Sequence, residues 1–269
     1  MKKLFNLIFL TFIVCITSVV FANAEVYMGS RPLGGDYDLA PASEGPTGSI
    51  LVTTPGVSNA GSKSLGSGFA YIKLDNYSDH SKKLYQIPLS FSYTPIDKFD
   101  LTAAIPFIKL TDKSLSCSDL FLGVKYGHSL FESVDIKSAI AIGWNLPTGG
   151  NNYNPNNSSD LYFDFPMQKD LEIYTFNFNF GFGINDIGKK EVKDEYFKLG
   201  AAVSRALNKE TGISLDFVYQ DSDKSSNFLI GCGLKYLLTS KTSITFAFAG
   251  DIISSGPDYL VSFGLSQSF

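Results

Sequence analysis

The sequence predicts an all-β fold: an up-and-down antiparallel transmembrane β-barrel of about 12 strands. Three features carry this reading. Apolar residues alternate with small or polar ones over many consecutive segments, the connections between segments alternate between short and long, and aromatic residues gather at the segment ends. The alternation is plainest at residues 174–185, YTFNFNFGFGIN, where Tyr174, Phe176, Phe178, Phe180, Phe182 and Ile184 share one parity. Successive strand residues point to opposite faces, so this segment has one apolar face and one of Thr, Asn and Gly. Taken alone, it also fits a soluble sandwich with phenylalanines inward or a polar-aromatic low-complexity tract. Its neighbours decide for the barrel.

The elements follow in order. Residues 1–24 read as a signal peptide: Lys2 and Lys3, an apolar run from Leu4 to Phe21, then Ala22-Asn23-Ala24 before Glu25. Residues 25–64 are rich in Gly, Pro and Ser, with ILVTT (50–54) the only strand candidate. They are expected to form an irregular segment, either periplasmic or lumenal. Residues 65–269 form the barrel, with strands expected near 66–74, 84–94, 99–110, 118–128, 135–147, 159–168, 171–184, 195–206, 211–220, 226–238, 241–252 and 258–269. Short turns such as Pro95–Lys98, Lys169-Asp170 and Thr239-Ser240 alternate with longer polar loops such as 75–83, 111–117, 148–158 and 221–225. The loop at 254–257 is the poorest fit. Short turns at one end and long loops at the other characterise outer-membrane barrels.

Aromatics on the apolar parity fall at two heights. Tyr93, Tyr126, Phe165, Tyr174 and Tyr236 adjoin short turns, whereas Tyr71, Tyr85, Trp144, Tyr219 and Tyr259 adjoin long loops. Two girdles flanking an aliphatic and phenylalanine band suit a bilayer, and a sandwich core has no reason to sort them. The opposite parity is small and polar, including Ser90, Ser92, Gly123, Gly143, Gly181, Gly200, Gly231 and Gly233. Asp100, Asp119, Lys125, Asp164, Asn177, Asn179, Lys198, Asp216 and Lys235 share this inward parity. They are the candidate lumen-lining groups; the charged ones either brace the barrel as cross-strand pairs or line a solute path.

Other classes find little support. The net charge of −4 offers no basic stripe for nucleic acid. No apolar run after Glu25 approaches the ~20 residues of a membrane-spanning helix. Cys117 and Cys232 lack neighbouring His or Cys at metal-ligand spacing, and no disulfide between them is expected. Gly181-x-Gly183 and Gly231-x-Gly233 lie within strands and are not phosphate loops. The Asn-rich loop 151–157 and the sequon at Asn157 read as loop chemistry. No cofactor, metal or catalytic site is expected.

Two segments carry a family resemblance. Tyr93-Thr94-Pro95-Ile96-Asp97-Lys98-Phe99-Asp100-Leu101 with Ile105-Pro106, then Ser118-Asp119-Leu120-Phe121-Leu122-Gly123-Val124-Lys125-Tyr126 and Leu146-Pro147-Thr148-Gly149, resemble the outer-membrane transporters of the phenol-degradation meta-pathway type. Ser118 replaces the usual Gly, and Pro95-Ile96 stands where a Gly-Leu-Thr-like turn is the pattern. The resemblance implies an outer-membrane channel for a small, often hydrophobic, organic solute, with no solute-specific residue to carry over. The alternative is a structural or surface-interaction barrel with a plugged lumen. A terminal strand ending in Phe269 resembles the signal read by the barrel-assembly machinery, so the expected partners are that machinery, outer-membrane lipid and a small solute, for a monomer. The strand number also invites comparison with the outer-membrane phospholipase. That family's pattern is His-x-Ser followed by Asn-Gly, on the outward face near the long loops. Here His128 and Ser129 are adjacent, Asn-Gly is missing, and the run lies near a short turn; adjacent strand residues point apart and share a proton poorly.

Overall fold

In the computed structural model, residues 54–56, 59–74, 82–111, 114–131, 134–149, 159–171, 174–187, 194–222, 226–253 and 259–269 are described. Alternating residues along them build one antiparallel sheet of thirteen strands. Its members are β1 (Lys63–Leu74), β2 (Lys82–Ile96), β3 (Phe99–Leu110), the two-residue β4 (Ser116–Cys117), β5 (Leu120–Phe131), β6 (Ile136–Leu146) and β7 (Ser159–Leu171). They continue with β8 (Tyr174–Ile187), β9 (Asp194–Ala206), β10 (Thr211–Ser222), β11 (Ser226–Thr239), β12 (Thr242–Asp251) and β13 (Tyr259–Ser268). Strand β4 pairs only with β3; the other twelve pair with sequential neighbours. The first strand pairs with both β2 and β13, and β2 with β3, so the sheet closes on itself. Closure removes the exposed edges that an open sheet of this size would present. At the seam, the Phe269 amide donates to the Lys63 carbonyl at 2.9 Å.

The predicted parity holds. Leu89, Phe91, Leu122, Ile140, Ile142, Phe180, Phe182, Leu215, Phe246 and Phe263 are exposed on the outer face, as a lipid-facing band requires. Phe178 and Phe228 share that parity yet are only 8% exposed. Both girdles form. At the long-loop end, Tyr71 packs on Tyr85 at 5.3 Å and on Tyr259 at 5.9 Å. Three cations sit over girdle rings of their direct cross-strand partners: Lys63 over Tyr93, Lys73 over Tyr259 and Arg205 over Tyr174, at 5.6–5.8 Å. Such pairs place the charge at the headgroup level and the ring below it.

The connections depart from expectation at one end. Strands β10 and β11 are separated by residues 223–225 only, because the pairing continues through Asp221 and Ser226, whose hydroxyl donates to the Asp221 carboxylate. Conversely, β12 stops at Asp251, leaving 252–258 before β13 and lengthening the loop that fitted worst. Prolines at three inward positions mark ladder gaps, since each lacks the N–H that pairing needs. Pairing skips Pro88 towards β1, Pro106 towards β5 and Pro166 towards β6. Beyond Pro106, β4 takes over the edge that β5 leaves.

Candidate functional site

Inward side chains divide the lumen into two unlike walls. On β2, β3, β5 and β6, the inner positions Ser90, Ser92, Thr102, Ala104, Gly123, Lys125, Ala141 and Asn145 are half-buried and retain a free face, whereas Gln86, Thr94, Asp100, Ile108, Ala139 and Gly143 on the same strands are buried. On β8 to β12 nearly every inner position is buried, including Asn177, Asn179, Gly200, Ala202, Ser214, Asp216, Gly231, Ala247 and Ala249. The two walls have similarly small side chains, so residue size does not account for the contrast.

Of the nine candidates from the sequence, Asp100 and Lys125 fall on the first wall, Asn177, Asn179, Lys198, Asp216 and Lys235 on the second, Asp164 on β7 between them, and Asp119 off the strands. Lys125 pairs with Asp100 on the neighbouring strand at 3.9 Å, and Thr94 Oγ1 donates to Asp100 Oδ1 at 2.5 Å. Lys198 pairs with Asp164 at 3.7 Å across Gly181, with side chains only 3% and 4% exposed. The missing side chain at Gly181 makes this reach possible, because a Cβ there would overlap the Asp164 carboxylate. Asp216 and Lys235 are buried and engaged. Asn177 and Asn179, at 2% and 0% exposure, have no hydrogen-bond partner for either carboxamide atom.

Asp119 differs from the other eight. Strand β5 starts at Leu120, so Asp119 belongs to the connection before it and not to a strand face. There its Oδ1 accepts from the Gly149 amide at 2.9 Å, while Thr148 Oγ1 accepts from the Leu120 amide at 2.8 Å. A Cβ on Gly149 would lie 2.8 Å from Asp119 Oδ1 and 2.9 Å from the Ser118 carbonyl carbon, so glycine is needed for the close approach. The Ser118-Asp119-Leu120 and Pro147-Thr148-Gly149 motifs are therefore two halves of one clasp at the long-loop end. At the other end, the Tyr93–Asp100 motif holds the run that leads into β1. Gly61 N donates to Thr94 O, Thr94 N to Ser62 O, and Ala60 N to Asp97 Oδ1, at 2.7–3.0 Å. Lys98 makes the turn with φ at 69°.

Three inward aromatics were missed by reading that parity as uniformly small. Tyr162 covers Gly143, Tyr196 covers Gly183, and Phe121 stacks on Tyr162 at 5.5 Å with planes 9° apart. Each tyrosine stands in register beside a glycine of the adjacent strand, where its ring fills the space a Cβ would take. That pairing is the signal that could have found them, once the register was known.

His128 is exposed on the outer face beside Tyr126, with ring centroids 6.0 Å apart. His80, the side chain of Ser129, loop 151–157 and most of 25–64 lie outside the described residues. Cys117 and Cys232 are free thiols.

A closed antiparallel barrel with a lipid-facing band, two aromatic girdles and a polar lumen defines a bacterial outer-membrane β-barrel. Within that class, the chain belongs to the family described as "Putative MetA-pathway of phenol degradation", whose model matches residues 17–269. The fold is similar to that of the KdgM porin in complex with disordered oligogalacturonate: TM-score 0.55 and 9% identity, covering 76% of this chain and 99% of that one. It is also similar to the translocator domain of the autotransporter NalP from Neisseria meningitidis, with TM-score 0.53 and 8% identity over 79% and 90% of the two chains. At such identities the likeness concerns the fold. Comparison with curated protein sequences finds no match.

Proposed function

We propose that the protein is a passive outer-membrane channel for a small, uncharged, preferentially hydrophobic organic solute, and that the solute moves along the inner face of β2, β3, β5 and β6. One observation carries this reading: Ser90, Ser92, Thr102, Ala104, Gly123 and Lys125, a contiguous patch of inner positions on β2, β3 and β5, keep a free face, while the described mid-strand inner positions of β8 to β12 are mostly buried. The groups on it suit such a solute. Ser90, Ser92 and Thr102 offer hydroxyls, and the stacked Phe121 and Tyr162 rings offer apolar surface towards the long-loop end. Lys125, the cation within the half-buried patch, has Asp100 beside it, which cancels most of the field that would favour ions of one sign. Family membership supports the same class of cargo. The barrel works as a monomer and is assembled through β13 and its exposed terminal Phe269.

Concentration-driven flux into proteoliposomes tests this. A panel matched in size, comprising a neutral aromatic alcohol, a neutral sugar, an organic anion and an organic cation, is expected to enter in that order, with the aromatic alcohol fastest. Flux of every solute at the empty-liposome rate would refute the channel and favour a surface-interaction barrel.

A further inference from the structure

We infer that the outer face of β1, β2 and β3 at the long-loop end is a docking surface for the phosphorylated glycolipid of the outer leaflet, with Lys73, Lys83 and Lys109 meeting its phosphates. The inference rests on the outer-membrane placement and does not depend on whether a solute crosses the lumen.

The sequence sets three lysines on the parity that faces lipid. Lys73 comes two places after Tyr71 on β1, Lys83 two places before Tyr85 on β2, and Lys109 two places after Phe107 on β3. Register brings them together. Lys73 stands directly opposite Lys83, and Lys109 directly opposite Tyr85, one outward place nearer the membrane middle than Lys83. Opposed residues of adjacent strands lie about 5 Å apart, so the three side chains rise from one patch. The backbone of Lys83 is fixed there: its amide donates to Thr111 Oγ1 and its carbonyl accepts from the Thr111 amide, both at 3.0 Å.

Charge then narrows the partner. Like charges set directly opposite one another repel, and a phosphate shared between Lys73 and Lys83 reverses the sign of that interaction through charge-assisted hydrogen bonds. The patch is also local. At the same end, the exposed outward positions of β9 and β10 carry Glu195 and Asp221, so among the described residues the rim is cationic on one side and anionic on the other. Adaptation to the mean field of an anionic leaflet gives no reason for that sorting; a bound headgroup does. Long loops mark the extracellular end of such a barrel, where the leaflet's glycolipid carries phosphate monoesters. A monoester holds up to two negative charges at neutral pH, a better match for clustered lysines than the single charge of a phospholipid diester.

The surface below the lysines suits the rest of such a lipid. Lys73 Nζ lies 5.8 Å from the centroid of the Tyr259 ring, and Tyr71 bridges Tyr85 and Tyr259. Beneath these rings the exposed Phe69, Ile87 and Ile105 continue the same face. Cations, then amphipathic rings, then an apolar strip follow the order of a lipid's phosphates, interfacial sugar and acyl chains.

Native mass spectrometry of the purified protein in a neutral detergent tests this, with lipid A as the probe in its bisphosphorylated and dephosphorylated forms. The parent is expected to retain the bisphosphorylated form at least fivefold more than either the dephosphorylated form or phosphatidylglycerol, a comparison that needs no variant. The triple variant Lys73→Gln, Lys83→Gln, Lys109→Gln is expected to lose retention at least fivefold, whereas Lys63→Gln with Arg205→Gln, at the short-turn girdle, keeps it. Heat-modifiable gel migration checks that each variant is folded. Retention that ignores the phosphates, equal retention of phosphatidylglycerol, or parental retention in the triple variant would overturn the inference. No readout involves flux, so the inference and the channel reading fail separately.

Discussion

Replacing Lys198 by methionine should be among the most damaging single changes in the barrel wall. Its Nζ lies 3.7 Å from Asp164 Oδ2, and both side chains are all but fully buried. At an effective dielectric of about 20, two unit charges at that distance attract by roughly 4.5 kcal/mol. The attraction offsets the cost of taking both ions out of water. Lys198→Met removes the attraction and leaves the buried Asp164 without this counter-ion, a change that costs about 3–5 kcal/mol in buried pairs. The double variant Asp164→Leu with Lys198→Met removes both charges and should lie within about 2 kcal/mol of the parent, since well-packed apolar replacements of buried pairs are often neutral. The single tryptophan, Trp144, is on the lipid-facing girdle, so urea unfolding from lipid vesicles can be followed by its emission. A single variant within about 1 kcal/mol of the parent, or a double variant as weak as the single, would show that the pair is solvated and the wall around it is not closed.

Three further outcomes follow from the geometry. Gly149→Ala should break the loop clasp, costing about 1–3 kcal/mol and raising protease cleavage near 147–149, while Asp119→Ala at the other half should do the same; full resistance in both would remove the clasp. Phe180→Arg places a charge on the lipid face and should cost about 2–4 kcal/mol near mid-membrane, measured by the same unfolding. An equal effect of Phe180→Arg and of arginine at the half-exposed inner position Ala104 would contradict the assignment of faces. Lys98 holds a left-handed backbone at φ 69°, so Lys98→Gly should stabilise by up to about 1 kcal/mol, read as a shift in the urea midpoint.

Strand positions and faces were legible because the side-chain period of a strand is two, and a lipid-facing surface demands apolar residues at every second place. YTFNFNFGFGIN shows both the strength and the limit of that signal. Its parity separates Phe180 and Phe182, which are exposed, from Asn177 and Asn179, which are buried, but says nothing of why the asparagines are dry. Alternation distinguishes inside from outside; it does not distinguish one inner wall from the other. Asp119 was assigned to a strand because its parity matched, whereas its carboxylate serves a turn one residue before the ladder begins. Tyr162 and Tyr196 escaped notice because their partners, Gly143 and Gly183, are neighbours only across strands, through a register that the linear sequence does not display. The motifs behind the family resemblance became physical only when the register brought Gly149 to Asp119 and Asp100 to Lys125.

The central claim, that small solutes cross the membrane along the β2 to β6 wall, is tested most directly by flux of a neutral aromatic alcohol through two variants of adjacent residues. Ala104 faces the lumen on that wall, and Ala103 faces lipid. Ala104→Trp should cut the protein-dependent flux at least fivefold while Ala103→Trp leaves it unchanged. Equal flux through both variants, or none through the parent, would contradict the account.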